Sequence, residues 1–335
     1  MFNKFLIVTI IFTMLISASV SFAKEVVVYS ARKDHLIRPL FDAYKKETGV
    51  EVKYITGKAA PLMQRLKSEG RNTPADMLIT VDAGNLWNAA NEGLLQTVDS
   101  EVINNNIPAH LRDSGNRWFG LSVRARTIVY STSRVNSSEL STYEDLGNGK
   151  WKGRLCLRTS KKVYNQSLVA MFIAQYGEAE TEDIVKSWVD NLATKPFSND
   201  TKVMKAIIAN QCDVGIVNSY YYGRLAKKEP GTPLALYWPN QNSGREGVHV
   251  NISGAGITKY AKNRDDAIRL LEWLSSDKAQ NLFADSNMEY PVNPMVKPHP
   301  TVSAWGSFRQ NRVNVLNAGE LQTAAIMLMD RVGYK

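Results

Sequence analysis

Four tyrosines stand where chemistry is most easily built. Tyr164 sits in Val163-Tyr-Asn-Gln-Ser-Leu168, and Tyr220, Tyr221 and Tyr222 follow one another after the apolar run Cys212 to Asn218. In a strand, neighbours such as 220 and 221 point to opposite faces; in a loop turning into a helix both converge on one point. A phenol has a reference pKa of ~10. Only a hard, highly charged cation holds it deprotonated at neutral pH, and Fe³⁺ is the biological candidate. Three phenolates cancel that ion's charge but leave an octahedral sphere incomplete. A bidentate dianion such as carbonate fills two further positions and asks for about two positive charges of its own. Arg32, in Ala31-Arg32-Lys33-Asp34, and Arg124, in Gly120-Leu-Ser-Val-Arg-Ala-Arg126, are placed to supply them. Lys33, Asp34 and Arg126 are lesser candidates: Arg126 shares a strand face with Arg124, and Asp34 reads first as a helix N-cap. The same residues also suit a binding site for an organic or inorganic anion, with arginines as ligands and tyrosines as stacking walls.

Those loops need strands and helices to hold them. Val26 to Ser30, Glu51 to Ile55 and Met77 to Thr80 read as strands, alternating with helices from Leu36 to Thr48, Ala60 to Glu69 and Gly84 to Glu92. The rhythm returns with a strand from Arg154 to Arg158, helices over Asn165 to Tyr176, Val185 to Leu192 and Lys202 to Asn210, a strand over Cys212 to Asn218, and a helix from Tyr221 to Lys228. Alternation of this kind implies parallel, doubly wound sheets in two α/β units, and ligands of such sheets sit beyond the carboxyl ends of the strands. Phe119 to Tyr130 and Val248 to Ile257 read as strands crossing between the units. Helices near Asp265 to Leu274, Ala279 to Ser286 and Leu321 to Val332 have no strand partners of their own and are expected to pack back on both.

Several function classes drop out. The chain has no G-x-S-x-G, H-E-x-x-H, C-x-x-C or G-x-x-x-x-G-K-[ST]. His35, His110, His249 and His299 are far apart, and Gly254-Ala255-Gly256 reads as a close backbone contact rather than a dinucleotide site. An enzyme is not expected. The 335 residues, with 44% hydrophobic and 22% charged, suit two soluble domains. Their net charge of +9 is useful for anions and gives no reason to expect nucleic acid. Residues 1–23 read as a signal peptide: a short start ending in Lys4, an apolar run from Phe5 to Ile16, and Ser21-Phe22-Ala23 before cleavage. In the oxidising compartment this implies, Cys156 and Cys212 are expected to form one disulfide.

With these residues in view, the chain resembles the periplasmic ferric-iron-binding proteins of bacterial ABC importers, transferrin-like members of the two-lobed substrate-binding proteins. The likeness is carried by Val28-Tyr-Ser-Ala-Arg32, Pro74-Ala-Asp-Met-Leu-Ile-Thr-Val-Asp-Ala-Gly84, Gly120 to Arg126, Val163 to Leu168 and Asn218-Ser-Tyr-Tyr-Tyr-Gly-Arg224. It implies an α/β fold of type II, two doubly wound mixed sheets joined by crossing hinge strands. Lobe I would span 24–122 plus 249–298, and lobe II 123–248 plus 299–335. It implies Tyr164, Tyr220 and Tyr221 as iron ligands, with Tyr222 behind them. Members that add a His or His-Tyr pair after the first-loop Arg contrast with Lys33 and Asp34 here, and Val81-Asp82 stands where some add a Glu. The resemblance is to the subgroup completing the sphere with carbonate, held here by Arg32 and Arg124. A monomer delivering iron to an inner-membrane permease is the expected context.

Overall fold

The computed structural model describes residues 25–242 and 244–335; the leader read over residues 1–23 lies outside the described residues. The first half runs β1 (Glu25–Ser30), α1 (Asp34–Thr48), β2 (Glu51–Thr56), α2 (Ala59–Glu69), β3 (Met77–Val81), α3 (Ala83–Asn91), α4 (Glu101–Asn106) and β4 (Phe119–Ser131). After β5 (Leu155–Cys156) come α5 (Val163–Asp190), α6 (Asp200–Ile208), β6 (Val214–Asn218), α7 (Ser219–Lys228), β7 (Leu234–Tyr237) and β8 (Val250–Ile257). The last part holds α8 (Arg264–Ser275), α9 (Asp277–Asn287), β9 (Tyr290–Pro291), α10 (Pro300–Ser303), α11 (Asn317–Glu320) and α12 (Gln322–Arg331). Among the described residues no helix is long and apolar enough to cross a membrane.

Local chemistry explains the elements. In α1 the buried Leu36, Ile37, Leu40, Phe41 and Tyr44 form one helical stripe. The helix stops at Gly49, whose left-handed backbone (φ 74°) lets its N–H return to the carbonyl of Lys45. Asp34 is the first residue of this helix rather than its cap, because Lys33 takes the extended cap conformation.

Two mixed sheets meet on one strand. In the first, β2, β1 and β3 are parallel, and β8 and β4 continue antiparallel. In the second, β5 and β6 are parallel, while β6 and β7 run antiparallel to β4. β4 belongs to both: Phe119 to Ala125 pair with β8, and Arg126 to Tyr130 pair with β6. Its companion β8 pairs with β3 and β4 in the first sheet, and the chain passes over at His249, whose carbonyl accepts from the N–H of Arg126. Gly254 and Gly256 make that pairing close. A Cβ on them would stand 2.4 Å from the Phe119 carbonyl oxygen and 2.6 Å from that of Arg117.

The first sheet is packed by α1, α3, α8 and α9 around Val28, Leu40, Leu78, Leu86 and Leu271. The second has a core on each face, one with Phe172, Trp188 and Leu328 and the other with Val203, Met204 and Ile207. Val302 and Val315 join the first core, whereas α12 packs on α5 in the second. Three differences from the sequence reading have clear causes. The strand expected to run to Arg158 pairs with β6 only at Leu155 and Cys156, because beyond them the chain leaves β6 and bridges through Arg158 to Phe197, ahead of α6. The span α5 is two helices meeting at Gly177, whose backbone (φ 79°, ψ 171°) is not helical: the first ends at Tyr176 as expected, and the second begins well before Val185. The last third does contribute a strand, β9, against Ser122 and Val123. Cys156 and Cys212 are joined as a disulfide, with Cα atoms 5.9 Å apart.

Candidate metal and anion site

Each tyrosine reaches the interlobe cleft from the first turn of a helix. Tyr164 is the second residue of α5, and Tyr220 and Tyr221 are the second and third of α7. Both helices start where strands of the second sheet end, and side chains in a first turn lean toward the helix N-terminus. Those termini carry partial positive charge, which favours anionic oxygen. The rings of Tyr220 and Tyr221 lie 4.6 Å apart at 30°.

These three rings line a cavity of about 200 Å³ together with Arg32, Lys33, Arg124, Arg224, Asn287 and Glu289. Guanidinium groups cover the rings: Arg124 lies 5.0 Å and Arg158 5.1 Å from the Tyr164 centroid, and Arg224 lies 5.0 Å from that of Tyr220. The Tyr220 hydroxyl is held protonated. Burial pushes its pKa up first, the phenols of Tyr164 and Tyr221 push it further, and Arg124 and Asn218 only partly oppose them. Among the described residues no three His, Cys, Asp or Glu side chains gather as a metal cluster. The phenols are the grouped oxygen donors of the cavity.

Arg32 is buried at the end of β1. Its Nη1 donates to Glu289 at 3.0 Å and to Ser122 at 3.3 Å, while Nε and Nη2 are buried with no partner. Arg124 donates to Ser253 at 3.2 Å and faces Asp82 at 3.5 Å. Lys33 is on the cavity rim. Asp34 is not in the cavity: it bonds Arg38 at 2.6 Å and Tyr54 at 2.8 Å on the outside of α1.

Arg126 is also elsewhere, a correction to its candidacy as an anion ligand. Although it shares the face of Arg124, it lies beyond the point where β4 changes sheets. There it donates to Asp200 at 3.2 Å, to Asn218 at 3.1 Å and to Asn165. Asp200 also accepts from Arg158 at 3.2 Å and from the N–H of Asn218 at 2.9 Å. Asn165 follows Tyr164 and Asn218 precedes the tyrosine run, so this buried network fixes one tyrosine-bearing segment against the other.

Sequence reasoning passed over Glu289, Arg158 and the full role of Asp82. Asp82 caps α3 with a positive φ of 79°, uncommon for any residue but Gly. It accepts from the Gly84 N–H at 3.0 Å and from Asn251 at 3.0 Å. Its position before Ala83-Gly84 is an N-cap signal. Glu289 carries no motif; it reaches the cavity only because β9 returns to β4.

A family model of bacterial extracellular solute-binding proteins matches residues 72–307. The chain belongs to that family. Curated relatives of this solute-binding protein include iron uptake protein A2 of Synechocystis, 44% identical over 319 residues that cover 93% of this chain and 91% of that one. Among solved structures, a Trichodesmium protein in complex with iron and citrate ligands superposes with a TM-score of 0.90 at 44% identity, covering 93% of this chain and all of that one. Mannheimia haemolytica ferric iron-binding protein A in an open conformation superposes with a TM-score of 0.87 at 39% identity, covering 93% and 99%. The two-lobed architecture is common to these relatives and to this solute-binding protein.

Proposed function

We propose that the protein is the periplasmic solute-binding component of an ABC-type Fe³⁺ importer, binding the ion through Tyr164, Tyr220 and Tyr221 with carbonate held by Arg32 and Arg124. The observation that carries this reading is the gathering of three phenols and buried arginines in one interlobe cavity. The names of the relatives, an iron uptake protein and a ferric iron-binding protein, support the cargo. No catalytic role is assigned.

The chemistry follows from charge. Fe³⁺ displaces the three phenolic protons and forms a neutral unit, and carbonate fills two further positions while neutralising the two arginines. The lobe of 24–122 with 249–298 closes on that of 123–248 with 299–335, bringing Arg32 and its anion onto a metal already held by the tyrosines. Protonation of carbonate or phenolate, or reduction to Fe²⁺, loosens the grip before a monomeric carrier passes its cargo to the permease. Residues 1–23 are the cleaved leader in this scheme.

Fe³⁺ titrated into purified apo-protein, with and without bicarbonate, should saturate and give a reddish phenolate-to-metal absorption. No saturable binding in either condition overturns the proposal. The unpartnered Nε and Nη2 of Arg32 also favour a second reading, a carrier of an organic or inorganic anion alone. Tyr164→Phe separates the two: an anion carrier keeps most of its affinity, whereas an Fe³⁺ carrier loses much of it.

A further inference from the structure

One carboxylate faces four cations in the cavity: Glu289 against Arg32, Lys33, Arg124 and Arg224. It is 3% exposed and deliberately seated. α9 ends at Asn287, whose Oδ1 accepts from Arg224 of the opposite lobe. Met288 then takes the left-handed conformation (φ 56°, ψ 33°), a region that non-glycine residues seldom occupy. It packs where α7 has Gly223, at which a Cβ would stand 2.5 Å from its sulfur. That turn delivers Glu289 beneath Arg32, with Oε2 3.0 Å from Nη1 and 2.6 Å from the Ser122 hydroxyl.

A guanidinium presents Nε–H and one Nη–H side by side, the edge that matches a planar oxyanion in two parallel bonds. Glu289 and Ser122 take only Nη1. The other edge, Nε with Nη2, is buried and unpartnered. Buried donors left without acceptors are costly, so this edge is shaped for something the protein does not itself supply.

We propose, resting on the Fe³⁺-with-anion reading above, that Glu289 is a positioning and selectivity residue: it anchors Arg32 by one nitrogen so that the opposite edge meets the anion, and it cancels one cavity charge, favouring a small, weakly charged anion over a polyanion. Glu289→Gln keeps an acceptor for Arg32 but removes the charge. Glu289→Ala removes both.

The test follows Fe³⁺ binding by its visible absorption while bicarbonate, phosphate or citrate is titrated into wild type and both variants. Glu289→Gln should stay coloured, need about tenfold less bicarbonate, and shift its preference toward citrate, since one added positive charge at close range acts most on the most charged anion. Glu289→Ala should need about tenfold more bicarbonate, because Arg32 loses its anchor and the entropy of ordering it returns. A coloured wild type whose variants move in the same direction, or do not move, overturns the Glu289 assignment alone. Loss of Fe³⁺ binding by Glu289→Gln with every anion overturns it too, since the carboxylate would then be a direct ligand. A wild type that takes up no Fe³⁺ with any anion overturns the carrier reading and this one with it.

Discussion

The hydroxyl of Ser167 lies 2.9 Å from Oδ1 of Asp82, across the gap between the lobes. It also lies 2.9 Å from the carbonyl of Val163, one turn back on its own helix. A hydroxyl has one proton to give. The same Ser167 can therefore bridge the lobes or turn home, three residues beyond Tyr164. Ser167→Ala removes the bridge while Asp82 keeps Gly84 and Asn251 as donors, so the loss should be about 1 kcal/mol. The expected result is a larger radius of gyration in small-angle scattering of the apo-protein and roughly fivefold faster surrender of Fe³⁺ to a competing chelator. An unchanged release rate would show that the bridge does not hold the cleft shut.

Asp200 balances Arg126 and Arg158 in a setting closed to water. Removing one partner of a buried network leaves uncompensated charge, typically about 3–5 kcal/mol. Asp200→Ala should lower the free energy of unfolding by that amount, read from a denaturant titration. Because the network ties Asn165 to Asn218, the folded fraction should also bind Fe³⁺ more weakly with a shifted visible band. A destabilised protein with an unaltered band would separate the network from the tyrosines.

The pH dependence of stability has a source at Asp213. Burial acts to raise its carboxyl pKa, but hydrogen bonds and charge from Arg134 and Arg154, both at 2.6 Å, outweigh this and hold it below the usual carboxylate range. A depressed folded value contributes stability above the unfolded pKa of ~3.9 and loses it as pH falls below that. Asp213→Asn should cost about 1 kcal/mol at pH 7, and the gap from wild type should shrink below about pH 4. Urea midpoints at the two pH values measure it; a gap that persists in acid would assign the effect to shape rather than charge.

The bond between Cys156 and Cys212 closes a loop of 56 residues in sequence separation. Reduction, or replacing both with Ser, should remove about 2–5 kcal/mol. Fe³⁺ uptake by the folded protein should survive, since neither sulfur faces the cavity. Calorimetry with and without reductant tests the first point, and absorption titration the second.

The sequence exposed whatever depends on neighbours in the chain. The stripe of α1, the strands β1 to β3 and the tyrosines at helix starts are local patterns, and each lies within a few residues of its expected bounds. What it concealed depends on distant partners. Arg124 and Arg126 look equivalent two residues apart, yet β4 changes sheets between them, so one faces Asp82 and the other Asp200. Arg32 and Glu289 are 257 residues apart, and no spacing or periodicity links an acidic residue in Asn-Met-Glu-Tyr to a loop at the other end of the protein.

A strand held in common has a mechanical meaning. Melting of either half frees one end of the strand on which the other is paired, since consecutive stretches of β4 supply the antiparallel backbone to each. Heating should thus produce a single calorimetric endotherm rather than two, and any motion that opens the cleft must be a twist spread along this shared ribbon instead of a break between independent bodies.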